Sequence, residues 1–212
     1  MELLDERWTM LIVRELICGS THFNEIRRGV PRMSPSLLAK RLHQLTVARI
    51  VDRTDRDGEV RYLLTDAGRE LRPVIETIGV WGTRWIGELG EQDIDPKLLL
   101  WDMHRNIDRV AVPPGRTVVK FEFPDVPQRL RNWWLVITPD EADVCDDDPE
   151  FPVEVAVIAP LTAMTRVWRG DLSWTAALRT GDVTLHGSMS SCRALPSWFT
   201  LSTFAAVPRP FG

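Results

Sequence analysis

The stretch that most constrains this chain is residues 34–50, SPSLLAKRLHQLTVARI. Leu38, Leu42 and Leu45 recur at i, i+4 and i+7, so a helix here carries them on one face, where they can pack on a core. Ser34 can cap the first turn with its hydroxyl, and Pro35 suits the first helical position, where no backbone donor is needed. Ser36, Lys40, His43 and Gln44 fall on the opposite face. A face of small, basic and amide side chains is either solvated surface or a reader of base edges, and the flanking sequence has to decide between them.

Upstream, residues 3–18 place Trp8, Leu11, Ile12, Glu15 and Leu16 at helical spacing, with Gly19 positioned to end a first helix. Ser20 or Thr21 can cap a second, short helix over residues 22–30, with Phe23 and Ile26 facing inward, and Pro31 discourages its continuation. His22 reads as a local hydrogen-bonding residue beside that cap. Two short helices joined by residues 31–33 make a helix-turn-helix, with the opening stretch as its second helix. Downstream, Asp57-Gly58 is a short hairpin signal, with Val60, Tyr62 and Leu64 alternating after it. A hairpin directly behind such a helix is a wing. Its Arg53, Arg56 and Arg61 are candidates for phosphate or minor-groove contact, opposed by Asp55, Asp57 and Glu59. Thr65 or Asp66 then opens a further helix running through Leu71, Val74, Ile75, Ile78, Trp81, Trp85 and Leu89.

The net charge of −4 argues against binding nucleic acid over the whole surface, yet no Asp or Glu interrupts Arg27, Arg28, Arg32, Lys40, Arg41 and Arg49. A local basic strip is enough for phosphate contact because salt screens charges over about 8 Å. Lys40 and Gln44 are candidates for base edges, guanine and adenine respectively, and Arg41 for a backbone phosphate at the flank. Arg27 and Arg28 are either phosphate contacts or ordinary surface charges.

The series ERWTMLIVREL, FNEIRRGVPRMSPSLLAKRLHQL, VDR and YLLTDAGREL, in that order and spacing, resembles the HxlR-type branch of the winged-helix bacterial repressors, which are akin to the MarR group. The likeness covers most of residues 5–90. It implies a homodimer on a palindromic double-stranded operator, with terminal helices forming the dimer interface. It also implies that residues 34–44 face the major groove; together with the charge reading above, the candidate DNA contacts are Arg27, Arg28, Ser34, Ser36, Lys40, Arg41, His43, Gln44, Arg53, Arg56 and Arg61. Cys18 falls inside the first helix, a departure from the family, whose sometimes redox-active cysteine lies in a segment ahead of that helix. The glycine usual after the recognition helix is replaced near Arg49, at a cost of about 1 kcal/mol if that position is left-handed.

Residues 87–96, GELGEQDIDP, read as a linker. This divides the chain into a winged helix-turn-helix domain over residues 1–92 and a second domain over 93–212. In the second domain a helix over 96–107 precedes strands over 116–123, 133–138, 141–146 and 153–158. Helices over 160–169 and 172–180, a strand over 183–186 and a helix over 191–201 follow. The expected fold class of the whole is α+β. The segment VWRGDLSWTAALRTGDVTLHGSMSSCRALPSWF resembles the sterol carrier protein type 2 group, which implies a mixed sheet and helices around an apolar cavity. Trp133, Met164, Trp168, Trp174 and Trp198 are then candidates to line a pocket, though such side chains equally build an ordinary core.

Some functions find no support. His104 and His186 have no companion catalytic series, and no Gly-rich phosphate cradle occurs, so no enzyme and no cofactor are expected. Cys18, Cys145 and Cys192 lack metal-ligand spacing, and Asp146-Asp147-Asp148 is a solvated turn rather than a calcium loop. With no apolar run long enough for a membrane span and no signal-peptide pattern, a cytoplasmic protein is expected. The reading is thus a bacterial DNA-binding transcriptional regulator, a homodimeric repressor answering to an apolar small molecule in its second domain. The alternatives are a carrier of lipids or acyl groups, and a regulator whose second domain only mediates oligomerisation.

Overall fold

The structure is a computed structural model describing residues 2–86, 89–90 and 93–210. It divides into two compact units, residues 1–85 and 86–212. Gly87, Glu88, Glu91 and Gln92 of the expected linker lie outside the described residues.

In the first unit α1 (Glu2–Asp5) and α2 (Thr9–Ile17) replace the single helix expected over 3–18. The break is at Trp8, whose backbone is left-handed at φ 80°. Leu3 and Trp8 both pack against the core built by Ile12, Val13 and Leu16. In an unbroken helix Leu3 would point about 180° away from Ile12, so burying it requires the break, and packing overrides propensity.

The helix-turn-helix follows as α3 (Phe23–Gly29) and α4 (Pro35–Val47). Leu38, Leu42 and Leu45 of α4 are all buried, beside Ile26 of α3 and Val51. Ser34 caps α4 by accepting the Leu37 N–H, and Pro35 occupies the first turn. The helix ends three residues earlier than expected, in a Schellman arrangement: the Arg49 N–H donates to the Thr46 carbonyl and the Ile50 N–H to the Leu45 carbonyl, both at 3.0 Å. Arg49 takes the left-handed position itself, at φ 56°.

The wing is an antiparallel pair, β1 (Val51–Arg56) and β2 (Glu59–Leu64), with Arg56 opposite Glu59. Asp57 at φ 54° and Gly58 at φ 82° make its two-residue turn, where both central residues need positive φ. The Tyr62 N–H donates to the Thr21 carbonyl at 2.7 Å, seating the wing on the loop before α3. Thr65 donates its hydroxyl to the Arg49 carbonyl at 2.7 Å and accepts the Gly68 N–H at 3.1 Å, so one side chain joins the end of α4 to the next helix. The long final helix expected over 65–89 is instead α5 (Asp66–Arg69) followed by α6 (Arg72–Trp85). Pro73 cannot donate to the carbonyl four residues back, so the run is interrupted there.

The second unit is built on a five-stranded sheet in the order β5-β4-β3-β6-β7. Its strands are β3 (Thr117–Glu122), β4 (Asn132–Ile137), β5 (Ala142–Cys145), β6 (Val155–Ile158) and β7 (Thr184–Gly187). All neighbours are antiparallel except β3 and β6, which pair in parallel. The helices are α7 (Pro96–Met103), α8 (Leu161–Trp168), α9 (Trp174–Thr180) and α10 (Met189–Ala194). Asp95 caps α7, Ser173 caps α9 and Ser188 caps α10 through side-chain oxygens. The helix expected over 191–201 begins earlier, tightens into a 3-10 turn over Leu195–Trp198 and stops. Phe199 then forms an antiparallel bridge with Ile107, which draws the chain out of the helix. Phe121, Leu135, Val157, Met164, Leu195 and Trp198 lie in the core of this unit. The chain is thus α+β, with a helix-turn-helix unit followed by a sheet-plus-helix unit.

Candidate nucleic-acid interface

Burying the leucine stripe of α4 turns Ser36, Ala39, Lys40, His43 and Val47 to solvent. These positions recur at three and four residues, so they form one continuous ridge along the helix. Ser34 sits at its start with the hydroxyl engaged in the cap and 3.2 Å from that of Ser36. The ridge therefore presents a cationic and an imidazole side chain on a helix whose orientation is fixed by the core beneath it.

Arg41 lies elsewhere. It is 7% exposed, and its guanidinium is held by the carboxylate of Glu6 on one nitrogen and by Gln44 Oε1, 2.7 Å away, on the other. Gln44 is half-buried at the edge of the ridge. Sequence reading missed Glu6 altogether: it lies 35 positions from Arg41, and only the break at Trp8 brings the two together.

On α3, Arg27 is exposed and Arg28 half-buried. In the wing Arg53, Arg56 and Arg61 are all exposed. Arg53 pairs with Asp55 at 3.6 Å and Arg61 with Glu59 at 2.9 Å, both at exposed sites where such pairs contribute little to stability. The acidic wing residues noted in the sequence thus neutralise part of its basic character.

His22 links the wing to the helix-turn-helix. Its Nδ1 lies 3.1 Å from Glu25 Oε1 and its Nε2 2.8 Å from Glu59 Oε1. Its pKa is raised, chiefly by the hydrogen bond to Glu59 and also by Glu25, against the opposing effect of burial. The local role expected of His22 is present, through Glu25, while the contact with the wing is an addition of the tertiary structure. No spacing in the sequence signals it.

Beneath this surface Glu15 is 1% exposed, a buried carboxylate. Arg14 donates to Glu15 Oε1 at 2.8 Å and to the Gly29 carbonyl at 3.0 Å, while the Ser20 hydroxyl reaches Glu15 Oε2 at 3.5 Å. This network ties α2 to the end of α3. On α6 the residues Val74, Ile78, Trp81 and Trp85 are 46%, 53%, 58% and 51% exposed. Their spacing of i, i+4, i+7 and i+11 makes a single apolar stripe, bordered by Leu71 and Ile75, which pack on the core.

In the second unit Trp133, Met164, Trp168, Trp174 and Trp198 all fall in the one buried cluster. The Trp133 indole donates to the Leu130 carbonyl and that of Trp168 to Asp102 Oδ2, each at 2.7 Å. The indole N–H groups of Trp174 and Trp198 are buried with no hydrogen-bond partner. Among the described residues no helix is long and apolar enough to cross a membrane.

Residues 3–89 match the family described as HxlR-like helix-turn-helix. The chain is 36% identical over 89 residues to the uncharacterized HTH-type transcriptional regulator YvaP of Bacillus subtilis, a match covering 41% of this chain and 82% of that protein. It is 35% identical over 91 residues to the uncharacterized HTH-type transcriptional regulator Rv3095 of Mycobacterium tuberculosis, covering 41% of this chain and 56% of that one. The solved reduced form of the transcriptional regulator YodB from B. subtilis is similar at 32% identity and a TM-score of 0.37, covering 41% of this chain and 87% of that chain. With a helix-turn-helix and wing in the expected order and a relative matched over most of its length, the chain belongs, through residues 3–89, to the HxlR-like helix-turn-helix family.

Proposed function

We propose that this chain is a DNA-binding transcriptional regulator of the bacterial cytoplasm, acting as a homodimeric repressor of a palindromic operator. The observation that carries the reading is the exposed ridge Ser36, Lys40 and His43, on a helix positioned by a helix-turn-helix before it and a wing behind it. In this reading the ridge enters the major groove, with Arg27 and the wing arginines near phosphates. The second copy covers the α6 stripe, because four large apolar side chains at helical spacing favour burial against an equivalent stripe across a two-fold axis. The family's relatives are named as transcriptional regulators, which supports the same reading. No catalytic role is proposed.

The second unit supplies regulation. A fold of sterol carrier type, holding an apolar small molecule among its tryptophans, would bias the spacing of two recognition helices through unequal affinity for the two arrangements. The buried, unpartnered indole N–H groups of Trp174 and Trp198 favour that reading, since a buried donor calls for an acceptor. The close packing of all five candidate pocket residues in one core favours a second reading, in which this unit only mediates oligomerisation.

A mobility-shift titration on the DNA upstream of the chain's own gene tests the first claim. Specific binding with a steep salt dependence is expected, and Lys40→Ala with His43→Ala should abolish it while circular dichroism stays unchanged. Absence of any shift at about 50 mM salt refutes the regulator. Native mass spectrometry with fatty acids separates the two readings of the second unit: bound ligand supports the effector site, and its absence supports oligomerisation alone.

A further inference from the structure

The contacts of Arg41 bear on which base Gln44 can read. A guanidinium offers only donors, so the amide atom 2.7 Å from Arg41 Nη1 has to be the oxygen of Gln44. Turning the amide over would set its NH2 against another donor at a residue only 7% exposed. The guanidinium cannot swing aside to permit this, because its other terminal nitrogen is held by Glu6. Glu6, Arg41 and Gln44 therefore form a relay in which the amide presents its NH2 away from Arg41.

A glutamine that reads adenine uses both halves of its amide, the oxygen accepting from N6 and the NH2 donating to N7. Here Arg41 takes one of the two lone pairs of the oxygen and fixes it on the guanidinium side, so the NH2 is the half of the amide directed away from Arg41. Guanine offers such a donor two acceptors, N7 and O6, whereas adenine offers N7 alone beside an N6 amino group that would oppose it. We infer that the Glu6–Arg41–Gln44 relay sets the base preference at one position of each half-site, favouring guanine over adenine, with Arg41 as a positioning residue that need not touch DNA. This replaces the adenine pairing that the sequence suggests for Gln44, and it rests on the DNA-binding function proposed above.

The experiment is selection of bound duplexes from a randomised pool by the full chain, repeated with Gln44→Ala. The position whose preference disappears in the variant is the one Gln44 reads. Guanine is expected there, and replacing it by adenine or by 7-deazaguanine should weaken wild-type binding by roughly 5- to 150-fold. Arg41→Met should bring adenine to within about threefold of guanine, the amide being free to turn, a shift below the usual discrimination of a paired base. Because Arg41 is buried, Glu6→Gln at a half-exposed side chain serves as a second arm and should relax the preference in the same direction. A merely structural role for the relay would weaken all duplexes alike and leave the preference intact, which would overturn the inference. Adenine at the Gln44 position in the wild type, or no position that depends on Gln44, would overturn it while leaving the DNA-binding function standing. Failure to select any duplex would instead remove that function, and the inference with it.

Discussion

Arg49→Gly should stabilise the first unit. Arg49 holds the left-handed position of the Schellman turn at φ 56°, where a side chain crowds the following carbonyl at a cost of about 1–2 kcal/mol. Its side chain is exposed, and the contacts that matter are made by its backbone: its N–H to Thr46 and its carbonyl to the Thr65 hydroxyl. Glycine keeps both. Against the relieved strain stands the greater freedom of glycine in the unfolded chain, about 0.4–1 kcal/mol. The net expectation is a gain of roughly 0.5–1 kcal/mol, or about 2- to 5-fold slower exchange of the amides of α4 by native-state hydrogen exchange. Arg49→Ala is the control, since it removes the guanidinium and keeps the Cβ, and it should change exchange by less than twofold. Equal slowing in both variants would show that the charge, not the backbone, was responsible; faster exchange in Arg49→Gly would refute the strain argument outright.

Other expectations follow from the same unit. Because hydrogen bonding to Glu59 and Glu25 raises the pKa of His22, protonated His22 anchors the wing below about pH 6.5. That contribution is lost as pH rises through the raised value, so β2 amides should exchange faster there by hydrogen exchange, and His22→Gln should flatten the dependence. Gly29→Ala would place a Cβ 1.9 Å from Glu15 Cδ. Overpacking against that buried carboxylate, about 1–3 kcal/mol, should exceed the roughly 1 kcal/mol gained in helix propensity, and an unchanged or raised denaturation midpoint would contradict it. Ile78→Glu with Trp81→Glu should convert a dimer to monomer in sedimentation velocity without loss of helix content, and a variant that stays dimeric would move the interface off α6.

Much of the first unit was legible because its signals are local. Leucine spacing, the Ser34-Pro35 start and the Asp57-Gly58 turn act within a few residues, and each is found where expected. Even the strain at Arg49 could be anticipated, because a helix end asks for a left-handed residue whatever surrounds it. Strands β4 and β6 of the second unit were legible for the same reason, their apolar runs being continuous and short.

What escaped the sequence depends on pairs far apart in it. The break at Trp8 exists because Leu3 finds the core; with it come Glu6 beside Arg41 and the withdrawal of Arg41 from the exposed ridge. The bridge from His22 to Glu59 spans 37 positions. Which residues form α4 and which stripe of it is buried could be read from the chain alone, because side-chain periodicity and capping are properties of adjacent residues. Which polar side chains of that helix are exposed and which are already engaged depends on the fold, because hydrogen bonds and ion pairs are made by whatever folding brings within about 3 Å.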